Sequence, residues 1–174
     1  EYAETNFAAM KISGVPINVN YRYLDDELHY LLENADIEAL VFHSSLGDRV
    51  ARVCDRLPML KAMICVDDGP AEDGSMGPAN GIPYDTFLSQ ASGTARTQPQ
   101  GDEIYMLYTG GTTGMPKGVM YPLDGFTEFF MRGFPPMIGL PPFEDAAQFG
   151  PAARQMVDAN TTVVAMSGPP LMQI

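Results

Sequence analysis

The sequence predicts an α/β fold built on a mainly parallel sheet with helices on both faces. Three observations carry this. Short runs that are apolar throughout alternate with segments whose apolar residues repeat at helical spacing. The helical segments are about ten residues long, the length of a βαβ crossover. With 174 residues and 45% hydrophobic content, the chain can build one domain with a real core.

Taken in order, Phe7, Ala8, Met10 and Ile12, with Tyr2 and Ala3 before them, suit a helix that stops at Gly14, a residue suited to the left-handed C′ position. A strand is expected at Val15 to Val19. Asp25 or Asp26 can cap a second helix whose Leu28, Leu31, Leu32 and Ala35 form one stripe, and Ile37 to Phe42 reads as a buried strand. Ser45 can cap a third helix in which Val50, Val53, Cys54 and Leu57 repeat until Pro58 stops it; Leu60 to Val66 is the next strand.

Asp67 to Pro83 is rich in Gly, Pro and Asp and reads as a surface loop. Tyr84 to Ala91 forms a short helix and Ser92 to Gly101 a polar connection. Ile104 to Tyr108 returns to strand, a glycine-rich loop turns the chain, and Gly118 to Tyr121 forms a second strand. The Phe-, Met- and Pro-rich stretch from Phe126 to Phe143 fits a helix packed on the core better than an acyl pocket lining, although its adaptable side chains allow both. Ala146 to Ala159 is expected to be helical and Thr161 to Met166 a last strand.

The charge excludes one class of function. Twenty-two acidic residues against ten scattered basic ones give a net charge of −12, which opposes binding along a nucleic-acid backbone. Cys54 and Cys65 stand without the nearby His or Cys that would complete a metal site, so two reduced thiols and no metal are expected. No run of about 18 apolar residues is present to span a bilayer. The start lacks the basic and apolar blocks of a signal peptide. Together these point to a cytoplasmic protein. His29 reads as a surface residue. His43 beside Ser44 and Ser45 could form a Ser–His pair, but neighbours in sequence rarely face each other with a third orienting group. The run Asp25-Asp26-Glu27 is explained by the favourable field of a helix N-terminus.

The most informative stretch is Tyr108-Thr109-Gly110-Gly111-Thr112-Thr113-Gly114-Met115-Pro116-Lys117-Gly118. Glycines let backbone N–H groups approach an anion, threonine hydroxyls add donors, and lysine adds a mobile positive charge. A Walker A loop needs glycine before its lysine and Ser or Thr after it, where this chain has Pro116 and Gly118. The dinucleotide fingerprint needs Gly-x-Gly-x-x-Gly opening a long helix, whereas Lys117 to Met120 runs on as strand.

The stretch does match the Thr/Ser/Gly-rich signature of the adenylate-forming superfamily, which includes the acyl-CoA synthetases. Phe7 to Tyr23, with its Asn18-Val19-Asn20-Tyr21-Arg22-Tyr23 turn, resembles a helix-to-strand segment of fatty-acyl-CoA synthetases. Asp85 to Leu88 looks like the short helix before their loop, and Ser167 to Met172 resembles their Pro-Leu-Met-His pocket segment.

The resemblance implies that residues 1–174 form an incomplete part of the N-terminal AMP-binding domain, without the C-terminal domain and its catalytic lysine. It implies a ligase that joins a fatty or lipid-derived carboxylic acid to ATP and passes the acyl group to coenzyme A, with Mg2+ as cofactor. Thr109, Thr112 and Thr113 would bind phosphate, Gly110, Gly111 and Gly114 would let the loop close, and Lys117 would pair with phosphate or anchor the loop. Pro170, Leu171, Met172 and Gln173 would lie at the substrate pocket. Two positions depart from the pattern: Met120-Tyr121-Pro122 after the loop, and Gln173 in place of the pocket histidine.

The unclosed ends, Glu1 within a helical pattern and apolar Pro170 to Ile174, suggest a piece of a longer protein that is inactive alone. A homo-oligomer is compatible with this reading. The alternatives are a non-catalytic module and an unrelated nucleotide-binding α/β protein.

Overall fold

The computed structural model describes residues 1–67, 81–93, 97–111 and 114–158. They fall into two compact units, Glu1–Gln98 with Met106–Val119, and Pro99–Tyr105 with the residues from Met120 on.

The first unit opens with α1 (Tyr2–Lys11). Its end is a Schellman motif: the Ser13 amide donates to the Met10 carbonyl at 3.2 Å and the Gly14 amide to the Ala9 carbonyl at 2.8 Å. The left-handed residue is therefore Ser13, at φ 57°, and not Gly14 as expected. Gly14 serves close approach instead, since a Cβ there would lie 3.2 Å from the Ala9 oxygen. The strand expected at Val15 to Val19 reduces to a single parallel bridge between Ile17 and Met106. Pro16 has no N–H for a ladder, which limits pairing on that side.

Helix α2 (Asp25–Asn34) buries Leu28, Leu31 and Leu32. Neither Asp25 nor Asp26 is the N-cap. That position is Leu24, whose amide donates to Glu27 Oε2 at 3.1 Å, half of a capping box. A second Schellman motif ends α2, with Asp36 at φ 48° and the Ile37 amide donating to the Leu32 carbonyl at 3.1 Å. Because residues 36 and 37 serve this cap, strand β1 starts later than expected, at Ala39–His43.

A 3-10 turn, Ser44–Leu46, leads into α3 (Gly47–Cys54). Ser45 does not cap this region; the His43 side chain does, accepting from the Ser45 amide. Strand β2 (Ala62–Val66) lies parallel to β1, with Leu40 opposite Met63 and Phe42 opposite Cys65. Strand β3 (Ile82–Pro83) pairs parallel with β2 and falls where the sequence predicts only loop. Its proline suits an edge position, where no N–H is required.

The core lies between α2, α3 and the sheet. Leu31 and Val53 have no exposed surface, and Phe42, Leu57 and Met63 join them. Ile64 alternates with Met63 and Cys65 along β2 and is buried too, so both faces of the middle strand are covered. Helix α4 (Tyr84–Gln90) packs against β2.

Among the described residues, strands β4 (Ile104–Gly111) and β5 (Gly114–Pro122) form a separate two-stranded sheet, to which Ile17 adds its single bridge at Met106. Two residues join them, too few for a crossover, so they run antiparallel, beside a β1–β2–β3 sheet that is parallel at both pairings.

In the second unit, α5 (Leu123–Glu128) widens into a π-turn at Phe129–Gly133 before α6 (Phe134–Met137). Pro135 cannot donate to the Met131 carbonyl four residues back; the Phe143 amide does so instead, at 2.7 Å. Only part of this stretch joins a core as the sequence suggests. Phe126, Phe129 and Phe130 stay 36%, 48% and 40% exposed and meet edge to face, while Pro135 and Phe143 are buried. The last helix, α7 (Phe149–Asp158), follows a 3-10 turn in which the Ala147 amide donates to Asp145 Oδ1 at 2.8 Å. The strand expected at Thr161 to Met166 lies outside the described residues.

Candidate functional site

The glycine- and threonine-rich stretch forms the tip of the β4–β5 hairpin. Its strands reach further into it than expected, to Gly111 on one arm and from Gly114 on the other, so Thr112 and Thr113 alone separate them. These two threonines, on which much of the phosphate reading rests, lie outside the described residues. So do Pro170, Leu171, Met172 and Gln173.

The hairpin brings Thr109 and Lys117 opposite each other, eight residues apart in sequence. Thr109 Oγ1 donates to the Lys117 carbonyl at 3.5 Å, a weak bond that an anion can displace. Both side chains are exposed. Along β5 the pleat alternates: Pro116 is buried while Met115 and Lys117 face solvent. Buried Pro116 thus anchors the arm and turns the lysine outward. Among the described residues, chain neighbours aside, no atom lies within 4 Å of the place a Cβ on Gly114 would take, so a ligand can come close to its backbone.

The base of the hairpin is more tightly built. A Cβ on Gly118 would lie 3.1 Å from Met106 Sδ and 3.2 Å from Cε2 and Cζ of Tyr108. Glycine at 118 therefore lets the Tyr108 ring pass beneath the opposite arm. The Tyr108 hydroxyl donates to Asn34 Oδ1, at the end of α2, at 2.8 Å. Burial pushes the Tyr108 hydroxyl pKa up, with Tyr30 and Asp36 adding to it. Sequence reasoning missed Asn34, because nothing local links it to a residue 74 positions later.

A second polar group sits at the carboxyl ends of β1 and β2. His43 Nδ1 lies 2.8 Å from Ser45 Oγ, and buried Ser44 donates to Asp67 Oδ1 at 3.2 Å. The Ser–His pair that sequence adjacency argued against does form. It is a local cap, since Nδ1 also accepts the Ser45 amide, at 3.2 Å. His29 lies 3.9 Å from Glu33, one turn along α2. Among the described residues no three His, Cys, Asp or Glu side chains are placed to hold a metal ion. No helix among them is long and apolar enough to cross a membrane.

The family model of AMP-binding enzymes matches residues 1–146. A 3-oxocholest-4-en-26-oate–CoA ligase of Rhodococcus rhodochrous is 43% identical over 122 residues, 70% of this chain and 22% of that protein. A medium/long-chain-fatty-acid–CoA/3-oxocholest-4-en-26-oate–CoA ligase of Mycolicibacterium smegmatis is 36% identical over 164 residues, 94% of this chain and 28% of that protein. The chain thus spans between a fifth and a third of the length of these relatives.

The fold is shared with an anthranilate CoA ligase solved with anthranoyl-AMP, at a TM-score of 0.59 and 22% identity over 71% of this chain and 23% of that one. It is shared too with an acyl-CoA synthetase of Brucella canis, at a TM-score of 0.58 and 16% identity over 91% of this chain and 33% of that one. The family match over residues 1–146, together with the Thr/Gly-rich hairpin, places this chain in the family of AMP-binding enzymes, within the adenylate-forming superfamily.

Proposed function

We propose that the full-length protein carrying this chain is an AMP-forming acyl-CoA ligase. It activates a fatty or lipid-derived carboxylic acid with ATP to an acyl-adenylate and passes the acyl group to coenzyme A. The observation that carries the reading is the hairpin, which sets exposed Thr109 and Lys117 on facing arms with open glycine backbone at the tip. The relatives support the acid class: the Rhodococcus enzyme is named for a steroid acid and the Mycolicibacterium enzyme for that acid and for fatty acids.

The chemistry follows from charge. A carboxylate attacking the α-phosphorus brings anions together, so the site must neutralise the departing pyrophosphate. Thr109, Thr112 and Thr113 donate hydroxyl hydrogen bonds to the β- and γ-phosphates. Lys117 supplies a point charge, and Gly110, Gly111 and Gly114 let the backbone close on the ligand. Pro170, Leu171, Met172 and Gln173 border the acid, with Gln173 where the family carries histidine. The described residues offer hydroxyls, amides and a lysine around the hairpin but no carboxylate cage. They do not fit Mg2+ as a protein-held ion, and Mg2+ would enter on the triphosphate.

The protein is proposed to act in the cytoplasm, and residues 1–174 to form part of its N-terminal AMP-binding domain. The test is carboxylate- and ATP-dependent pyrophosphate release by the full-length protein, with Lys117→Ala and Thr112→Ala beside it. Loss of one charge-assisted phosphate contact costs about 2–3 kcal/mol, a drop of roughly 30- to 150-fold. Unchanged rates in both variants overturn the role of the hairpin, and release of ADP in place of AMP overturns the ligase reading.

A further inference from the structure

The hairpin carries its phosphate donors at one end and is held at the other, and the holding residue belongs to a distant helix. We propose that Asn34 is a positioning residue for the phosphate hairpin: by fixing the Tyr108 hydroxyl it keeps the Tyr108 ring under Gly118, and so keeps Lys117 opposite Thr109. This inference rests on the proposed reading of the hairpin as the phosphate site.

Four observations support it. Asn34 Oδ1 accepts from the Tyr108 hydroxyl at 2.8 Å. The Tyr108 ring fills the space a side chain at 118 would need, within 3.2 Å of that Cβ position. Tyr108 is next to Thr109 on one arm, and Gly118 next to Lys117 on the other, so a shift of the ring displaces both phosphate-facing residues. The Asn34 side chain is exposed, but its backbone is fixed by what surrounds it. Asn34 ends α2, whose Leu31 and Leu32 are 0% and 1% exposed, and the Schellman motif at Asp36 fixes the backbone just beyond it.

The pieces form a short mechanical chain: core, α2, Asn34, Tyr108, Gly118, hairpin arms. A polar anchor adds what packing alone does not. The ring is only half-buried against the core, and apolar contact is non-directional, whereas a hydroxyl bonded to one acceptor fixes the ring along its long axis. Phosphate donors must be held close to their working geometry, because small displacements of positioning groups weaken transition-state contacts.

The test uses the full-length protein with Asn34→Ala, Tyr108→Phe, the double variant, and Asn34→Asp, which retains an acceptor oxygen. Pyrophosphate release is measured against ATP and against carboxylate concentration, alongside the thermal midpoint. Asn34→Ala and Tyr108→Phe each raise the KM for ATP roughly three- to tenfold, the effect of one net hydrogen bond. The KM for carboxylate and the thermal midpoint stay near the wild-type values. The double variant is no worse than either single one, as expected for two ends of one bond. Asn34→Asp restores the wild-type KM.

An unchanged KM for ATP in both single variants, or additive effects in the double, overturns the positioning role. So does a parallel loss of midpoint and of both KM values, which marks general destabilisation. If these variants are silent while Lys117→Ala is impaired, the hairpin reading stands and the Asn34 role falls. If Lys117→Ala and Thr112→Ala are silent as well, both fall.

Discussion

Asp25 and Arg52 join α2 to α3 through two parallel hydrogen bonds: Arg52 Nε donates to Asp25 Oδ2 at 2.6 Å, and a terminal Arg52 nitrogen donates to Oδ1 at 3.0 Å. The sequence reading assigned Asp25 to the N-terminus of its own helix. In the folded chain it does open α2, and it is also one half of a bidentate clamp between helices, 27 residues from its partner.

That clamp predicts a pH dependence. The Arg52 hydrogen bond holds the Asp25 carboxyl below its usual range, so the native state takes up its proton later than the unfolded chain does. The pair's stabilisation is therefore present above about pH 4, near the ordinary aspartate value, and is lost as pH falls through the lower native value. Asp25→Asn is expected to lower the urea midpoint at pH 7 and to match wild type near pH 2. Both residues are exposed, so the difference at pH 7 also shrinks in 1 M salt, where the screening length is about 3 Å. A midpoint difference that persists unchanged at acid pH refutes the clamp.

Core and surface leucines of the same helix region should separate cleanly. Leu31 has no exposed surface, so Leu31→Ala leaves a cavity and costs about 2–5 kcal/mol by denaturant unfolding. Leu24 is 67% exposed, and its role as N-cap is played by backbone groups, so Leu24→Ala stays within about 0.5 kcal/mol. Equal costs at the two sites contradict the packing described for α2.

Two glycines of the hairpin are expected to respond oppositely. Gly118→Ala drives a methyl against Met106 and Tyr108, and the tyrosine is held by Asn34, so overpacking costs about 1–3 kcal/mol. At Gly114 a Cβ meets open space, and Gly114→Ala keeps the thermal midpoint within a degree or two. On the proposed reading of the hairpin, a fall in the activity of the full-length Gly114→Ala protein then reports crowding of the bound phosphate. A large drop in the Gly114→Ala midpoint shows that the tip is packed.

The two thiols should be poor nucleophiles in the native protein. Burial pushes the Cys65 thiol up, with Asp67 adding to it, and burial followed by Asp55 does the same for Cys54. Raised values mean less thiolate at neutral pH and slower alkylation. Iodoacetamide at pH 7.5, followed by mass spectrometry, is expected to label both sites slowly and Cys65, the more buried, more slowly than Cys54. Denaturant should equalise them. Fast native labelling of Cys65 contradicts its burial.

Sequence and structure differ most at the boundaries of elements. Helices α2 and α3 were legible because Leu28, Leu31, Leu32, Val50 and Val53 repeat at helical spacing and the same residues form the core. The caps were not legible, because each depends on which nearby polar group reaches the backbone first: Ser13 where Gly14 was expected, Glu27 folding back on Leu24, His43 taking the place of Ser45. Strand β3 was missed because two residues carry no period, and only the edge of β2 gives Ile82 and Pro83 a partner. Between Phe126 and Phe143 the density of aromatics suggested core. Pro135 breaks the helical hydrogen bonding there, and the rings pack on one another.

By itself the sequence determined the α/β class, the main helices and strands, and a glycine- and threonine-rich turn between two strands at Thr109 to Gly118, because these depend on local periodicity and on residue chemistry read over a few positions. Only the tertiary structure decided how that hairpin is held. Thr109 and Lys117 face each other because β4 and β5 pair, Gly118 is glycine because Tyr108 crosses beneath it, and Tyr108 stays there because Asn34, 74 residues away, accepts its hydroxyl. Such contacts join residues with no spacing in common, so they follow from packing and hydrogen-bond geometry in three dimensions and leave no pattern along the chain.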